Sequence, residues 1–547
     1  MITRRHWIFN RISSVLLCLT FVGQDLDPAV AYNPVNPRAH SQAKVFLRRR
    51  DRLGHCSPIL MGPLEPITGP WPDAFPAKDL CSNCGLCRTS TGLKHVASAC
   101  AFIGEGMSRA ETLEPKVHGR TRSYSPDDLS EAYFGVHDRI LLARGNIGDA
   151  QWTGVTTGIA LAWLESGAVD AVVVAGSKEG AEGFAEPVPL LCRTPEEVLK
   201  GRRVKPSLCP SLAVLDEIQA DESIKRLLFC GVGCAVQALR SVGSADKISP
   251  EQALGLEEGG LFVLGTHCVD NSPTPKQALK FVSTLPSVGN ARAKDVKAYE
   301  FMADFRVHAR VSTADGGEET VKDAYMTLPP NIGVPSIADS CYSCFDYTNG
   351  LADLVVGYMG APFSENDEMT TAALMVTVRN AKGSAMLDNA VARGRVEVLQ
   401  EGGHGGKLLP STGDRRKITM STVERDSLVQ TLTDPSYTPG DKGAPKWAGD
   451  ILAKFISKAL PTGMEFARYS IDYHFLRNRL FVEKRMGSRR AARHVPSYAE
   501  ALMEPYAAEM EGITDAKKVA KDKDAEGLGA LAKMLTKLVQ GKDTDAK

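Results

Sequence analysis

The sequence has 547 residues, of which 43% are hydrophobic and 24% are charged, proportions typical of a globular protein with more than one packed unit. Lysine plus arginine and aspartate plus glutamate both total 65, so no overall charge favours nucleic acid or an anionic membrane surface. The balance argues against a nucleic-acid-binding protein.

Residues 1–56 are predicted to form a two-part targeting leader. Arg4, Arg5 and Arg11 precede a short apolar run at 12–22, and Ala29-Val30-Ala31 follows it. The run is shorter than the roughly 20 residues of a membrane span and fits a secretory signal. The acid-free basic stretch 29–50 fits a transit peptide, so we expect a plastid reached by the secretory route. The alternative is an extension without a targeting role. No other segment of the sequence is apolar enough to span a bilayer.

The first cysteines after the leader are spaced for metal. Cys81, Cys84 and Cys87 form a C-x2-C-x2-C block, and Cys100 follows thirteen positions later. Two-residue gaps return each sulfur to the same concave side of a loop, where three thiolates can wrap one iron–sulfur cluster. Disulfides at such spacing would be strained, and zinc usually takes paired C-x2-C elements. The block favours iron–sulfur over structural zinc.

Helices and strands are predicted to alternate between residues 139 and 290, which indicates a parallel or mixed α/β sheet. The expected elements are a helix at 153–164, a strand at 171–175, a helix from the capping box at 194–197 through Leu199, a helix at 211–219, a strand before Gly231, a helix at 235–242 and a strand ending at Gly265. Cys234 and Cys268 then follow the carboxyl ends of two strands, where such sheets build their sites.

A second C-x2-C pair follows at Cys341 and Cys344. Alone it would fit half a zinc site, a redox dithiol or two buried thiols. With Cys234 and Cys268 it brings the plausible ligands to eight, enough for two 4Fe–4S clusters, but the sequence leaves their partition open. The loop Gly231-Val-Gly233 lacks the third glycine of a dinucleotide-binding fingerprint, so a nicotinamide site is disfavoured. The cysteines expected to be core thiols are Cys192, Cys209 and Cys230.

The fold class expected is therefore α/β, with a mixed or parallel sheet core, an N-terminal iron–sulfur segment and a helical C-terminal region. Segments 296–311 and 320–328 are predicted to be longer strands, and 447–460 and 473–484 to be helices. The expected divisions are the leader 1–56, an iron–sulfur segment 75–138, a flavin- and cluster-binding α/β domain 139–400, a linker-like segment 401–446, a helical region 447–512 and a solvated tail 513–547.

The chain resembles a family of ferredoxin-dependent iron–sulfur flavoproteins. The resemblance covers roughly 80–506 and is carried by long motifs, among them CSNCGLC, GDAQWTGVTTGIA, RTPEEVLKGRRVKPSL, RLLFCGVGCAVQALRSV, LGTHCVDN, YEFMADFRV and SCYSCFDYTNGLADLVVGYMGAP. The family contains the 7-hydroxymethyl chlorophyll a reductases of chloroplasts, the ferredoxin-type 8-vinyl reductases and the beta subunits of deazaflavin-reducing hydrogenases. It implies FAD and two 4Fe–4S clusters, electrons from reduced ferredoxin, and a chlorophyll-type substrate in the plastid.

The resemblance also implies site residues. The matching cluster ligands are Cys81, Cys84, Cys87, Cys100, Cys234, Cys268, Cys341 and Cys344. Flavin contacts are expected at Gln151, Thr153, Gly154, Thr156, Thr157, Lys205 and Ser207. Loss of hydroxide from a hydroxymethyl group needs a proton donor. The first candidates are His118, His137 and Asp346, followed by His267, Asp270 and Tyr347.

Several functions stay open from the sequence. Reduction of 7-hydroxymethyl chlorophyll a to chlorophyll a is favoured by SCYSCFDYTN, SENDEMTTAAL and STGDRR. The leader favours the alternative, 8-vinyl reduction of divinyl chlorophyllide a, because many algae with secondary plastids lack chlorophyll b. A third possibility is an electron-transfer subunit of a larger complex. The sequence also leaves open whether the protein forms a homo-oligomer. The basic residues proposed to receive ferredoxin, with a solvated helix face as the alternative, are Arg489, Arg490, Arg493 and His494.

Overall fold

The computed structural model describes residues 80–178, 186–363, 366–403, 405, 415–434 and 436–514. All of them belong to one compact unit. The expected leader 1–56, residues 75–79 of the expected iron–sulfur segment, and the tail from 515 onward lie outside the described residues.

The described strands form one eight-stranded and one three-stranded sheet. In chain order they are β1 Arg139–Gly145, β2 Ala171–Ser177, β3 Pro187–Cys192, β4 Leu227–Gly231, β5 Leu261–Thr266, β6 Val296–Phe301, β7 Arg306–Ser312, β8 Glu318–Ala324, β9 Leu354–Gly357, β10 Leu374–Val378 and β11 Val396–Glu401. The large sheet has the order β11-β1-β10-β9-β5-β4-β2-β3. Its centre, β2, β4, β5 and β9, is parallel and its outer pairs are antiparallel. The predicted mixed α/β sheet is confirmed.

Both faces of the large sheet are buried, as the apolar strand sequences require. Along β2, Val172 and Val174 face a core closed by the helices Val155–Glu165 and Ala381–Ala392. Val173, on the alternate face, packs with the helix Gly233–Ser241. The two-residue period of a strand thus divides one apolar run between two cores.

The small sheet corrects one prediction. The segment 296–311 is two strands, β6 and β7, because the chain reverses between them at Phe305, whose φ is 64°. β8 completes an antiparallel sheet, and the helix Pro275–Val282 packs on it through Phe281.

The segment 401–446, expected to be linker-like, contains two helices, Arg415–Arg425 and Ser427–Thr433. Their residues Met420 and Val429 belong to the core formed by the long helix Gly463–Met486. The part of this segment that is rich in Asp, Pro, Gly and Thr follows the second helix, and its described residues at 434 and 436–445 contain no helix or strand.

The remaining helices have four to 14 residues, and the longest of them, Lys446–Ala459, packs against β8 of the small sheet. Their bounds are Ser90–Leu93, Val96–Ala99, Arg109–His118, Ser130–Phe134, Pro195–Leu199, Leu215–Ala220, Pro250–Leu254, Gly289–Arg292, Pro330–Gly333, Lys446–Ala459, Ser488–His494, Ser497–Met503 and Ala507–Thr514. A search of the described part of the chain finds no helix with the length and hydropathy to cross a bilayer.

Candidate active site

A cavity of about 370 Å³ opens where the parallel strands of the large sheet end. Its wall takes Ala175 from β2, Gly231 from β4 and Thr266 from β5. Cys234 and Cys268 lie in the same wall, just beyond the ends of β4 and β5. The predicted position of these two cysteines is confirmed, and it is the edge at which open α/β sheets bind ligands.

The predicted ligand cysteines lie in two groups. The first consists of Cys81, Cys84, Cys87 and Cys100, where burial, and after it the neighbouring thiol groups, raise the pKa values of Cys84, Cys87 and Cys100. The second group consists of Cys234, Cys268, Cys341 and Cys344, which interact in the same way. The first group is N-terminal and the second belongs to the sheet domain. Cys84 and Cys234 also interact, so the two groups are neighbours.

Burial is the main cause of these shifts. It raises the pKa of Cys100 and of Cys341 to about 12. Metal binding uses the thiolate, so a buried thiolate needs a compensating cation beside it. Within the described residues, no three His, Cys, Asp or Glu side chains come close enough together to hold a single metal ion. A four-iron cluster takes its four thiolates on different irons, and each group supplies four.

Hydrogen-bond donors point at the sulfur atoms of both groups. The backbone N–H of Asn83 lies 3.3 Å from Cys81 Sγ, and that of Asp346 lies 3.4 Å from Cys344 Sγ. Asn271 Nδ2 lies 3.1 Å from Cys268 Sγ. Such donors stabilise negatively charged sulfur and tune cluster potentials. The surroundings of both groups fit iron–sulfur clusters.

The long helix Gly463–Met486 supports the second group. Asn478 Nδ2 donates to the carbonyl oxygens of Cys341 at 3.0 Å and of Cys344 at 2.8 Å. Beside it, Arg477 holds Asp270 through two bonds of 2.9 and 2.7 Å. The loop that carries two cysteines is thus fixed by side chains from a distant part of the sequence.

The residues expected to contact flavin mostly line this cavity. Gln151, Gly154, Thr156, Thr157, Lys205 and Ser207 are all in its wall. Thr153 is not, because its hydroxyl oxygen accepts the Gly145 N–H at 2.6 Å.

Two polar groups in this wall suit an anionic ligand. The Gln151 carboxamide accepts the Val204 N–H at 2.9 Å, while its Nε2 has no partner among the described residues. Lys205 Nζ donates to the Arg203 carbonyl at 2.9 Å, and burial lowers its pKa to about 8. An unused amide donor and a lysine fit the phosphates or ring edge of a dinucleotide such as FAD.

The Gln151 loop has a special backbone. Trp152 and Thr153 have φ values of 54° and 53°, and Gly154 follows at 71°. Two consecutive non-glycine residues in the left-handed region are costly, and such strain is found mainly at functional sites. This conformation turns Gln151 and the Trp152 ring toward the cavity.

Among the expected proton donors, Asp346, His267, Asp270 and Tyr347 line the cavity. Asp346 Oδ1 accepts the Gly350 N–H at 2.7 Å, Oδ2 has no partner among the described residues, and burial raises its pKa. Burial lowers the pKa of His267 to about 3, so this ring is neutral. The ion pair between Asp270 and Arg477 keeps the Asp270 carboxylate ionised and lowers its pKa.

His118 and His137 are not in the cavity wall. His118 Nε2 bonds the Gly350 carbonyl at 2.8 Å, and burial lowers its pKa to about 4. His137 Nδ1 bonds the Gly135 carbonyl at 2.8 Å. Both rings tie loops together, and of the three first-choice donors the structure brings only Asp346 to the cavity.

Some cavity residues were not foreseen. Cys209 and Cys230, expected to be core thiols, lie in the wall, while Cys192 is buried in the core. Glu300 on β6 also lines the cavity and was not considered. Its sequence signal is an acidic residue between two aromatic residues, Tyr299 and Phe301, which becomes informative once the small sheet is placed against this edge.

The basic patch proposed for ferredoxin is smaller than expected. Arg489 and Arg493 are exposed on the helix Ser488–His494. His494 is fully buried and bonds the Ser343 carbonyl, while Arg490 bonds the Phe102 carbonyl at 2.7 Å. Two of its four members therefore have structural contacts.

Comparison with known proteins identifies related chains. The family models for the N-terminal and C-terminal parts of coenzyme F420 hydrogenase/dehydrogenase beta subunits match residues 142–216 and 224–402. The chloroplastic 7-hydroxymethyl chlorophyll a reductase of Oryza sativa subsp. japonica is 45% identical over 434 residues, 79% of this chain and 83% of the rice protein.

Two microbial proteins are also similar. An uncharacterized protein of Nostoc sp. (strain PCC 7120) is 41% identical, over 79% of this chain and 94% of its own length. The coenzyme F420 hydrogenase subunit beta of Methanosarcina barkeri is 26% identical, over 54% of this chain and 92% of its own length. This chain therefore belongs to the oxidoreductase family that joins 7-hydroxymethyl chlorophyll a reductase with the beta subunits of coenzyme F420 hydrogenases and dehydrogenases.

Proposed function

We propose that this protein reduces 7-hydroxymethyl chlorophyll a to chlorophyll a in the plastid, with electrons from reduced ferredoxin, two 4Fe–4S clusters and FAD. Its similarity to the chloroplastic rice reductase supports the substrate and the compartment. The single observation that carries the redox part is the cavity wall shared by Cys234, Cys268, Cys341 and Cys344 and by the residues expected to contact flavin.

The proposed roles follow the arrangement of the residues. Cys81, Cys84, Cys87 and Cys100 would hold the outer cluster, and Cys234, Cys268, Cys341 and Cys344 the inner one. Gln151, Lys205 and Ser207 would bind FAD, with Thr156 and Thr157 beside them. Iron–sulfur clusters transfer electrons singly, whereas a flavin can hold a pair. Together they would connect ferredoxin, a one-electron donor, to a two-electron reduction of the substrate.

The protein's own side chains would exclude water and supply a proton. Conversion of the hydroxymethyl to a methyl group consumes two electrons and two protons and releases water. One proton must reach the leaving oxygen, because hydroxide is a poor leaving group. A buried cavity suits this step, since water there would compete for protons.

The first test is an anaerobic turnover assay. Purified protein with measured iron and flavin contents would receive reduced ferredoxin and, in separate reactions, 7-hydroxymethyl chlorophyll a or divinyl chlorophyllide a. We expect chlorophyll a from the first pigment and no reduction of the second. Reduction of the 8-vinyl group alone would replace the proposed substrate. If a fully loaded protein reduced neither pigment but accepted electrons from ferredoxin, an electron-transfer subunit would be the better assignment.

A further inference from the structure

The side chain of Glu300 is an acid inside the cavity wall with no basic partner. It lies on β6 and is 8% exposed. Among the described residues its carboxylate is bonded by the Trp152 indole N–H, at 2.9 Å to Oε2 and 3.1 Å to Oε1. A buried carboxylate without a cation is costly, so such a group tends to keep its proton.

The cations of the cavity wall are engaged elsewhere. Arg203 bonds Glu318 at 2.8 Å and also pairs with Asp149. Lys205 bonds backbone carbonyls. The titratable side chains that share the wall or lie beside Glu300 on the small sheet are, besides the cysteines, Arg203, Lys205, His267, Asp270, Tyr299, Asp304, Arg306, His308, Arg310, Lys322, Asp346, Tyr347, Tyr358 and His474. Of these, Arg306 bonds the Asp450 carbonyl, Arg310 bonds Glu318 and Lys322 bonds the Asp367 carbonyl. Burial is accordingly the dominant influence on Glu300 and raises its pKa to about 8.

The position of the carboxyl group is fixed by rigid neighbours. The Trp152 ring stacks on Tyr358, with centroids 5.1 Å apart and an angle of 5° between the planes. Tyr358 in turn donates its hydroxyl to the Phe301 carbonyl at 2.9 Å, on the same strand as Glu300. The strained loop at Trp152 and the small sheet therefore hold one protonated acid at a fixed point of the cavity.

We infer that Glu300 is the proton donor to the leaving oxygen, with Trp152 as its positioning residue. This inference rests on the proposed function. The Glu300 O–H bond breaks as the proton moves to the hydroxyl oxygen, and the carbon–oxygen bond breaks to release water. The two electrons, derived from reduced ferredoxin, form the new carbon–hydrogen bond with the second proton. Glu300 then takes a proton back from water before the next cycle.

The test begins with a readout that needs no substrate. Infrared difference spectra of the loaded protein, recorded as pH is raised, would show a protonated carboxyl band at neutral pH that is lost near pH 8 in wild type. Glu300→Gln would lack this band. Glu319→Gln, an exposed glutamate of the same small sheet, would retain it. Absence of the neutral-pH band from wild type would overturn the inference.

Turnover supplies the second readout. With unchanged iron and flavin contents, Glu300→Gln should lower kcat by about 10²-fold or more with little change in KM, since removal of a general acid costs at least that much. Wild-type kcat should fall as pH rises through about 8, because the donor loses its proton. A Glu300→Gln protein as active as wild type would refute the donor role.

A third variant keeps the inference testable if Glu300→Gln fails to fold. The Trp152 N–H stabilises the ionised carboxylate, so Trp152→Phe should shift the loss of the infrared band to higher pH. An unshifted band would contradict the assignment of the proton to Glu300. Failure of wild type to reduce either pigment would instead refute the proposed function, while the infrared titration would still decide the state of Glu300.

Discussion

At the scale of single residues, buried charges are fixed by several partners. Asp353 follows the second cysteine loop and is 1% exposed. Its Oδ2 accepts from Arg240 at 2.9 Å and from the Val263 N–H at 2.7 Å, and its Oδ1 accepts from Asn380 at 2.9 Å. One carboxylate thereby joins β5, β9 and the helix Gly233–Ser241.

Replacement of Asp353 should be strongly destabilising. Asp353→Ala leaves Arg240 buried without its counter-charge, and breaking a buried pair in this way costs about 3–5 kcal/mol. The midpoint of thermal unfolding should fall well below that of wild type. Glu401→Ala removes the exposed partner of Arg139 and serves as the control, since exposed pairs contribute about 1 kcal/mol or less. Equal effects of the two changes would contradict this account.

At the scale of elements, short helices in this fold depend on their caps. Thr194 is the N-cap of the helix Pro195–Leu199, and its hydroxyl oxygen accepts the Glu197 N–H at 3.3 Å. The Glu197 carboxylate in turn accepts the Arg193 and Thr194 N–H groups at 2.7 and 3.2 Å. The helix leads directly to the loop that carries Lys205 and Ser207.

Removal of this cap should loosen the helix locally. Thr194→Ala should lower its local opening free energy by about 1 kcal/mol, which corresponds to about fivefold faster hydrogen exchange at the amides of 196–199. Thr194→Ser keeps the hydroxyl group and should exchange as wild type does. If the alanine variant exchanged at the wild-type rate, the capping box would not stabilise this segment.

Local sequence signals predicted three of the eight strands of the large sheet and little of what covers it. The alternation of apolar runs and caps placed β2, β4 and β5, and it placed Cys234 and Cys268 beyond the strand ends. The break at Phe305 was missed, because φ there is set by the turn and not by a glycine. Glu300 was missed because its burial depends on the contact between two sheets. The helix Arg415–Arg425 was missed because its apolar stripe is weak and only packing on Gly463–Met486 defines it.

At the scale of the whole molecule, the two cysteine groups come from different parts of the chain. The first lies within twenty residues of sequence, Cys81 to Cys100. The second combines Cys234, Cys268, Cys341 and Cys344, which the sheet brings together. The groups should therefore be separable by mutation.

Substitution in one group should remove one cluster. Cys87→Ser should lower the iron content by about four of about eight atoms, and Cys341→Ser should remove a different four. Iron and sulfide analysis, with spectra of the reduced proteins, would show two distinct remaining signals. Cys192→Ser, at a buried thiol outside both groups, should leave the iron content unchanged. Loss of all iron from either variant would mean that the clusters do not form independently.

The contact of Asn478 with the Cys341–Cys344 loop has a consequence for how the protein is made. Ribosomes deliver the chain from its N-terminus, so all eight cysteines emerge before the helix Gly463–Met486 that braces this loop. The first cysteine loop meets its own support earlier, because the Leu212 N–H donates to the Cys84 carbonyl at 2.7 Å. The Cys341–Cys344 loop stays unsupported until more than a hundred further residues have been synthesised. The Cys341–Cys344 loop consequently takes its braced conformation only when nearly the whole polypeptide is available, later than the Cys81–Cys87 loop.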